Sequence, residues 1–103
     1  MHYFRYDLLS QCKPGGKVFL DSSLVDGKTE RTDIEVYGVP VTQLSHSEHL
    51  EGIANIILLG KVLAETGFAS FETVEEAVRK SVPARKEHLF VHNIRAIKLG
   101  MSL

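Results

Sequence analysis

Four of the five histidines in this 103-residue sequence fall into two close pairs, and they are its most chemically versatile residues. His88 and His92 are four residues apart, so on a helix they would share a face and could both reach one metal ion. The zinc-protease pattern requires a glutamate directly after the first histidine, and Leu89 stands there instead. His46 and His49 form the second pair. Because nothing shows further ligands converging on either pair, we expect no metal site and interpret these histidines as surface or partner-facing residues.

Two serines follow the apolar run Val18 to Leu20, which is typical of a buried strand. Ligands bind at the carboxyl ends of strands in open α/β sheets, so Ser22 and Ser23 are candidates for contact with a phosphate or a neighbouring chain. The alternative, which we favour, is that the Asp21-Ser22-Ser23 segment caps the strand end and the turn after it. No esterase, dinucleotide-binding or P-loop motif surrounds them, and we predict no catalytic residue.

A third candidate is Asn55, which stands in the apolar stretch from Ile53 to Ala64. If the stretch is a buried helix, the Asn55 amide must find hydrogen-bond partners. It could bond a backbone carbonyl or point into an interface or ligand pocket, and the sequence does not decide between them.

Charge, cysteine content and hydropathy limit the class of protein. The net charge is −1, which argues against nucleic acid or an anionic membrane as a partner. Cys12 is the sole cysteine, which suits a reducing compartment, and we interpret it as a packing residue. The N-terminus lacks a signal pattern, and no apolar stretch reaches the roughly 18 residues of a membrane span. We therefore expect a cytoplasmic protein.

Periodicity and breakers predict an α/β fold with one domain over residues 1–103: a small mixed sheet flanked by helices, as in a partial three-layer arrangement. The predicted elements are a helix over 3–12, strands over 17–24 and 34–37, an extended piece over 39–41, a central buried helix over 50–65, and a helix over 84–99 that Gly100 stops. Between the last two, a further helix is predicted that Ser70 can cap, with Thr73 and Glu76 as an alternative capping box. Two or three strands cannot cover this much apolar helix. An exposed sheet edge and apolar surface then favour association with other chains, including homo-oligomers of the isolated chain.

Four segments, taken in order, resemble the C-terminal half of the gamma subunit of 2-oxoacid:ferredoxin oxidoreductases. They are Lys13-Pro14-Gly15-Gly16 with the strand that ends in Asp21-Ser22-Ser23-Leu24, then Val39-Pro40-Val41-Thr42, then Ile53-Ala54-Asn55-Ile56-Ile57-Leu58-Leu59-Gly60, and finally Asn93-x-x-Ala96-x-x-x-Gly100. The resemblance runs from about Leu9 onward. The glycine-rich first half of that subunit has no counterpart here. The segment from His46 to His49 contains more histidine than the corresponding stretch of that family. The chain could be a fragment, a truncated gene product or one half of a split subunit.

This resemblance implies a role in an enzyme that oxidatively decarboxylates a 2-oxoacid such as pyruvate on thiamine diphosphate. Such enzymes transfer the acyl group to coenzyme A and pass electrons through iron–sulfur clusters to ferredoxin. It implies that thiamine and clusters are held by other subunits, and that this part completes the assembly and helps to shape the coenzyme A approach. Two alternatives remain open: a stand-alone homo-oligomeric scaffold, and a small hydrolase or metal enzyme that uses Ser22 or the His88–His92 pair.

Overall fold

The computed structural model describes residues 13–24 and 32–103, and these form an α/β structure. The elements in chain order are strand β1 (Lys17–Asp21), strand β2 (Glu35–Val39), helices α1 (Val41–Ser47), α2 (Ala54–Thr66) and α3 (Phe71–Ser81), a 3₁₀ turn (Ala84–Lys86) and helix α4 (Glu87–Met101). The predicted α/β class is confirmed. The predicted helix over 3–12, with Cys12, lies outside the described residues.

Strands β1 and β2 are parallel, in a register that runs from Lys17 opposite Glu35 to Asp21 opposite Val39. Phe19 and Tyr37 stack across the pair with ring centroids 4.8 Å apart. Their face is directed to α2, because Lys61 Nζ lies 5.5 Å from the Tyr37 ring centroid. Parallel pairing brings the carboxyl ends of both strands to one edge of the sheet, and α1 begins there.

Several predicted elements have the wrong bounds. The strand predicted over 17–24 ends at Asp21, and the strand predicted over 34–37 runs from Glu35 to Val39. The last helix, predicted over 84–99, begins at Glu87 after the 3₁₀ turn. The segment 39–41 is not one extended piece, because Val39 ends β2 and Val41 begins α1. Pro40 precedes the helix with φ −78°, where a proline is tolerated because the first N–H groups of a helix have no partner within it. The helix predicted over 50–65 begins only at Ala54, because Gly52 adopts a φ of +87° that interrupts helical geometry.

Helices α2 and α4 cross at two glycines. A side-chain carbon added to Gly60 would lie 2.1 Å from the Ile97 carbonyl oxygen, and one added to Gly100 would lie 1.9 Å from the Ile57 carbonyl oxygen. The backbones approach so closely that no larger residue fits. The prediction that Gly100 stops the last helix is wrong, since α4 continues to Met101. Its glycine serves packing and not termination.

Helix α3 begins as the sequence predicted. The Ser70 hydroxyl accepts a hydrogen bond from the Thr73 N–H at 3.1 Å, an ordinary N-cap. The end of α2 is also confirmed: Gly67 adopts a left-handed φ of 60°, and its N–H donates to the Leu63 carbonyl. In the last turn of α3, the Arg79 guanidinium lies 3.5 Å from the Phe90 ring centroid, and this contact joins α3 to α4.

Among the described residues, the core consists of two clusters that α2 and α4 join. One contains Val39, Val41, Leu50, Ile57 and Ala96, and the other contains Leu63, Val74, Phe90, Ile94 and Ile97. Within the strands, Val18, Phe19, Leu20, Val36 and Tyr37 are only half-buried. No helix in the described part of the chain combines the length and the apolarity that crossing a bilayer requires.

Candidate functional site

The carboxyl end of β1 supplies the cap of helix α1. Pro40 precedes α1 and offers no capping side chain. The Asp21 carboxylate instead accepts hydrogen bonds from the Thr42 N–H at 3.2 Å and from the Thr42 hydroxyl. The Ser23 hydroxyl accepts from the Gln43 N–H at 3.2 Å. Two side chains about twenty residues upstream thus satisfy the second and third N–H groups of the helix, which a local N-cap residue normally serves.

The same Asp21 carboxylate also shapes the turn after β1. Its second oxygen accepts from the Ser23 N–H at 2.9 Å, the pattern of an Asx turn. The Ser22 N–H donates to the Val39 carbonyl at 3.0 Å and extends the strand pairing by one bond. These contacts fix the β1 turn against the start of α1. The capping interpretation favoured from the sequence is confirmed for Asp21 and Ser23, and it extends to a helix that the sequence did not reveal.

Several hydrogen bonds lower the pKa of Asp21. Partial burial works in the opposite direction and raises the pKa, but the bonds from the Thr42 hydroxyl, the Ser23 N–H and the Thr42 N–H together outweigh it. The carboxylate is therefore ionised in the folded chain at neutral pH. A depressed folded-state pKa stabilises the fold above the unfolded value of about 4, and this contribution is lost as pH falls through the folded pKa.

Ser22 and Ser23 differ in what they could offer to a ligand. The Ser23 hydroxyl already accepts from Gln43, although the side chain is exposed. Ser22 is exposed, and none of the described residues hydrogen bonds to its hydroxyl. Because Asp21 and Ser23 occupy the N–H groups of Thr42 and Gln43, these do not add donors for a phosphate. A ligand or subunit contact at Ser22 and Ser23 stays a prediction.

Asn55 lies on the first turn of α2 and is exposed. The expectation of a buried amide was wrong. The physical reason is that α2 buries only the face that contains Ile57, Gly60 and Leu63, the face that meets α4. Asn55 points away from that contact, and it does not approach Ser22 or Ser23 in any hydrogen bond. Its role as an interface residue remains a prediction, now for a residue that is free to meet another chain.

Both histidine pairs lie on the surface, and one contact links their neighbourhoods. His46, His49, His88 and His92 are all exposed. Arg95, three residues after His92, donates to the Glu48 carbonyl at 2.7 Å, so the outer face of α4 meets the end of α1. No three or more His, Cys, Asp or Glu side chains converge as metal ligands among residues 13–24 and 32–103.

Two structural features that position these residues were not predicted from the sequence. The first is the cap of α1, for which the only local signal was a proline ahead of an uncapped polar segment. The second is the glycine crossing of α2 and α4. Its signal was the spacing of small residues, since Ala96 and Gly100 are four apart and therefore share one face of α4.

Comparison with known proteins identifies a family and two relatives to which the chain is similar. The family described as pyruvate ferredoxin/flavodoxin oxidoreductase matches residues 2–103. A 2-oxoglutarate synthase subunit KorC from Methanocaldococcus jannaschii is 36% identical over 77 residues, which cover 73% of this chain and 41% of that protein. The protein of the same name from Methanothermobacter marburgensis is 27% identical over 101 residues, which cover 92% of this chain and 53% of that protein. No solved structure matches.

The chain spans about half the length of the curated relatives that it matches. The match covers all four segments on which the resemblance was based, from Lys13 to Gly100. The resemblance to the gamma subunit of 2-oxoacid:ferredoxin oxidoreductases is confirmed. The chain belongs to the pyruvate ferredoxin/flavodoxin oxidoreductase family.

Proposed function

We propose that the chain is a structural part of a 2-oxoacid:ferredoxin oxidoreductase in the cytoplasm, which completes the subunit assembly and helps to shape the coenzyme A approach. The observation that carries this proposal is the family match over residues 2–103. Both relatives are named as subunits of 2-oxoglutarate synthase. We therefore take 2-oxoglutarate as the first 2-oxoacid to test, with pyruvate as the second.

The donor groups of this chain do not fit an iron–sulfur cluster. Such clusters normally take four thiolates, and the sequence contains one cysteine. The carboxylate whose pKa is lowered at the β1 turn, Asp21, is committed to capping α1. The proposal accordingly assigns thiamine diphosphate and the clusters to partner subunits, and derives no chemical step from this chain.

The half-buried sheet supports an assembly role. Parallel strands are normally covered on both faces, because their backbone and apolar side chains are buried in α/β proteins. Here Val18, Phe19 and Leu20 in β1 are all only half-buried. Single apolar side chains also project from the segments between the elements, with Phe68 57% exposed and Leu24 71% exposed. Surface of this kind is what a neighbouring subunit would cover.

Co-expression with the alpha, beta and delta subunits tests the assembly role. We expect a complex that survives size-exclusion chromatography at micromolar concentration. Failure to form it would contradict the proposal. Omitting this chain from a reconstituted complex should raise the KM for coenzyme A more than the KM for the 2-oxoacid. An equal effect on both would restrict the role to assembly.

Asn55→Leu tests the proposed interface residue. Because Asn55 is exposed and leucine has the higher helix propensity, the variant should fold at least as stably as the wild type. We expect it to weaken assembly roughly tenfold, which corresponds to about 1.4 kcal/mol. Ala64→Leu is the matched control, since Ala64 is exposed on the same helix. Normal assembly of Asn55→Leu would remove Asn55 from the interface.

The exposed apolar residues also favour a second candidate, a homo-oligomeric scaffold without an enzymatic partner. Sedimentation equilibrium of the isolated chain would then show a discrete oligomer. No partner subunit would displace that oligomer. Exchange of the oligomer into the mixed complex on addition of the other subunits would contradict the scaffold and support the oxidoreductase role.

A further inference from the structure

The outward side of helix α4 is exposed, although Arg95 on that side bonds to the end of α1. His88, Val91, His92 and Arg95 are all exposed and share one side of the helix, opposite the buried Phe90, Ile94 and Ile97. We call these four residues the α4 outer face. The 3₁₀ turn that directly precedes α4 is also exposed, and it contains Arg85 and Lys86.

Positive charge accumulates along this surface. From Ala84 to Arg95 the chain carries Arg85, Lys86 and Arg95 against a single carboxylate, Glu87. Glu87 is already paired with Arg79 of α3 at 2.5 Å. Since the whole chain has a net charge of −1, this is a local concentration of cations and not a general property of the protein.

Two of these cations are available to a partner. Arg85 and Lys86 form no ion pair with any residue in the part of the chain that the structure describes. Arg95 is oriented by its bond to the Glu48 carbonyl at 2.7 Å, while the Glu48 carboxylate lies farther away at 3.6 Å. Arginine presents several N–H donors, so Arg95 retains donors for another acceptor.

An apolar residue stands at the centre of the cationic surface. Val91 is 55% exposed on the α4 outer face, with a histidine at position 88 and another at 92. Leu89 is 40% exposed on the adjoining side. An apolar centre with a polar, charged rim is the usual anatomy of a protein interface, and arginine is enriched at such sites.

We propose that the α4 outer face, with Arg85 and Lys86, is a docking surface for a carboxylate-rich segment of another protein chain. Charge complementarity selects an acidic partner, and the apolar centre at Val91 selects a protein over a nucleic acid, whose backbone would favour a wider basic patch. This inference goes beyond the proposed function. It concerns the location and chemistry of one surface and does not depend on oxidoreductase activity.

The test is an NMR titration of the uniformly ¹⁵N-labelled full chain with a capped octapeptide of alternating glutamate and leucine, at 20 mM salt. We expect amide shifts concentrated between His88 and Arg95. Raising the salt to 200 mM should weaken binding at least fivefold, since exposed charge pairs are screened. Arg85→Glu should weaken it at least fivefold. Lys80→Glu is the matched control on α3, with a side chain that is 76% exposed, and it should change binding less than twofold.

Three other outcomes of these measurements would overturn the proposal. Shifts spread over all cationic residues, or equal effects of Arg85→Glu and Lys80→Glu, would indicate general ion pairing. Tighter binding of a poly-deoxythymidine oligonucleotide of equal charge would indicate a nucleic-acid surface. Salt-sensitive self-association that Arg85→Glu abolishes would assign the face to a second copy of this chain. Failure of the co-expression test with a positive peptide titration would remove the proposed function and leave this surface standing.

Discussion

Replacing Gly100 with alanine would test the crossing of α2 and α4 most directly. The new methyl carbon would lie 1.9 Å from the Ile57 carbonyl oxygen and 2.9 Å from the Lys61 nitrogen, both backbone atoms. Neither atom can turn aside as a side chain could. Ordinary contact begins near 3.4 Å, so the two helices must separate by roughly 1.5 Å.

Two opposing terms set the size of the effect. Alanine favours the helix over glycine by about 1 kcal/mol. Separating closely packed helices costs about 3 kcal/mol, the upper end of the range for overpacked cores. We therefore expect Gly100→Ala to lower the free energy of unfolding by about 2 kcal/mol. For a chain of this length that loss corresponds to a Tm lower by roughly 8–16 °C.

Urea unfolding followed by circular dichroism at 222 nm measures this loss, with the m-value checked for constancy. Ala64→Gly, at an exposed position of α2, isolates the propensity term and should cost about 1 kcal/mol. The double variant Gly60→Ala/Gly100→Ala should lose less than the sum of the single losses, because one separation of the helices accommodates both methyl groups. If Gly100→Ala unfolds at the same or a higher urea concentration than the wild type, the reasoning about the crossing is wrong.

Three further predictions concern single contacts. Asp21→Asn should cost about 1 kcal/mol at pH 7 through the weakened cap. Because the pKa of Asp21 is lowered in the folded chain, the gap to the wild type should begin to close only below the unfolded-state value of about 4 and should vanish once pH has fallen through the folded pKa. A gap in urea unfolding that stays constant while pH falls through this range would contradict the prediction. Ser70→Ala should lower stability by about 1 kcal/mol, whereas Ser70→Asp should retain it, and thermal melts of both variants distinguish a cap from a packing effect. Arg79→Ala should cost about 1 kcal/mol through the loss of its contact with Phe90 and of its exposed ion pair with Glu87, while Lys80→Ala, which also loses an exposed ion pair on the same helix, should stay within about 0.5 kcal/mol. Equal losses of stability in Arg79→Ala and Lys80→Ala would argue against the cation–π contact.

Residues that interact along the chain allowed the sequence to determine several elements. Helix α3 was predictable because its cap, Ser70, stands three residues before the N–H group that it serves. The end of α2 was predictable because Gly67 has the backbone freedom that a left-handed residue requires. The four ordered segments carried the resemblance to the family without any structure, and they include the end of β1, the start of α1 and the glycines at the crossing of α2 and α4.

Only the tertiary structure revealed contacts between residues far apart in sequence. Helix α1 was missed because its cap comes from Asp21 and Ser23, about twenty residues upstream. Gly100 was misread as a helix stop because its function depends on the Ile57 carbonyl of another helix. Asn55 was expected to be buried because its neighbours in sequence are apolar, but burial depends on which face of α2 meets α4. Local pattern specifies how a segment is built, whereas exposure and capping across elements depend on where the other segments pack.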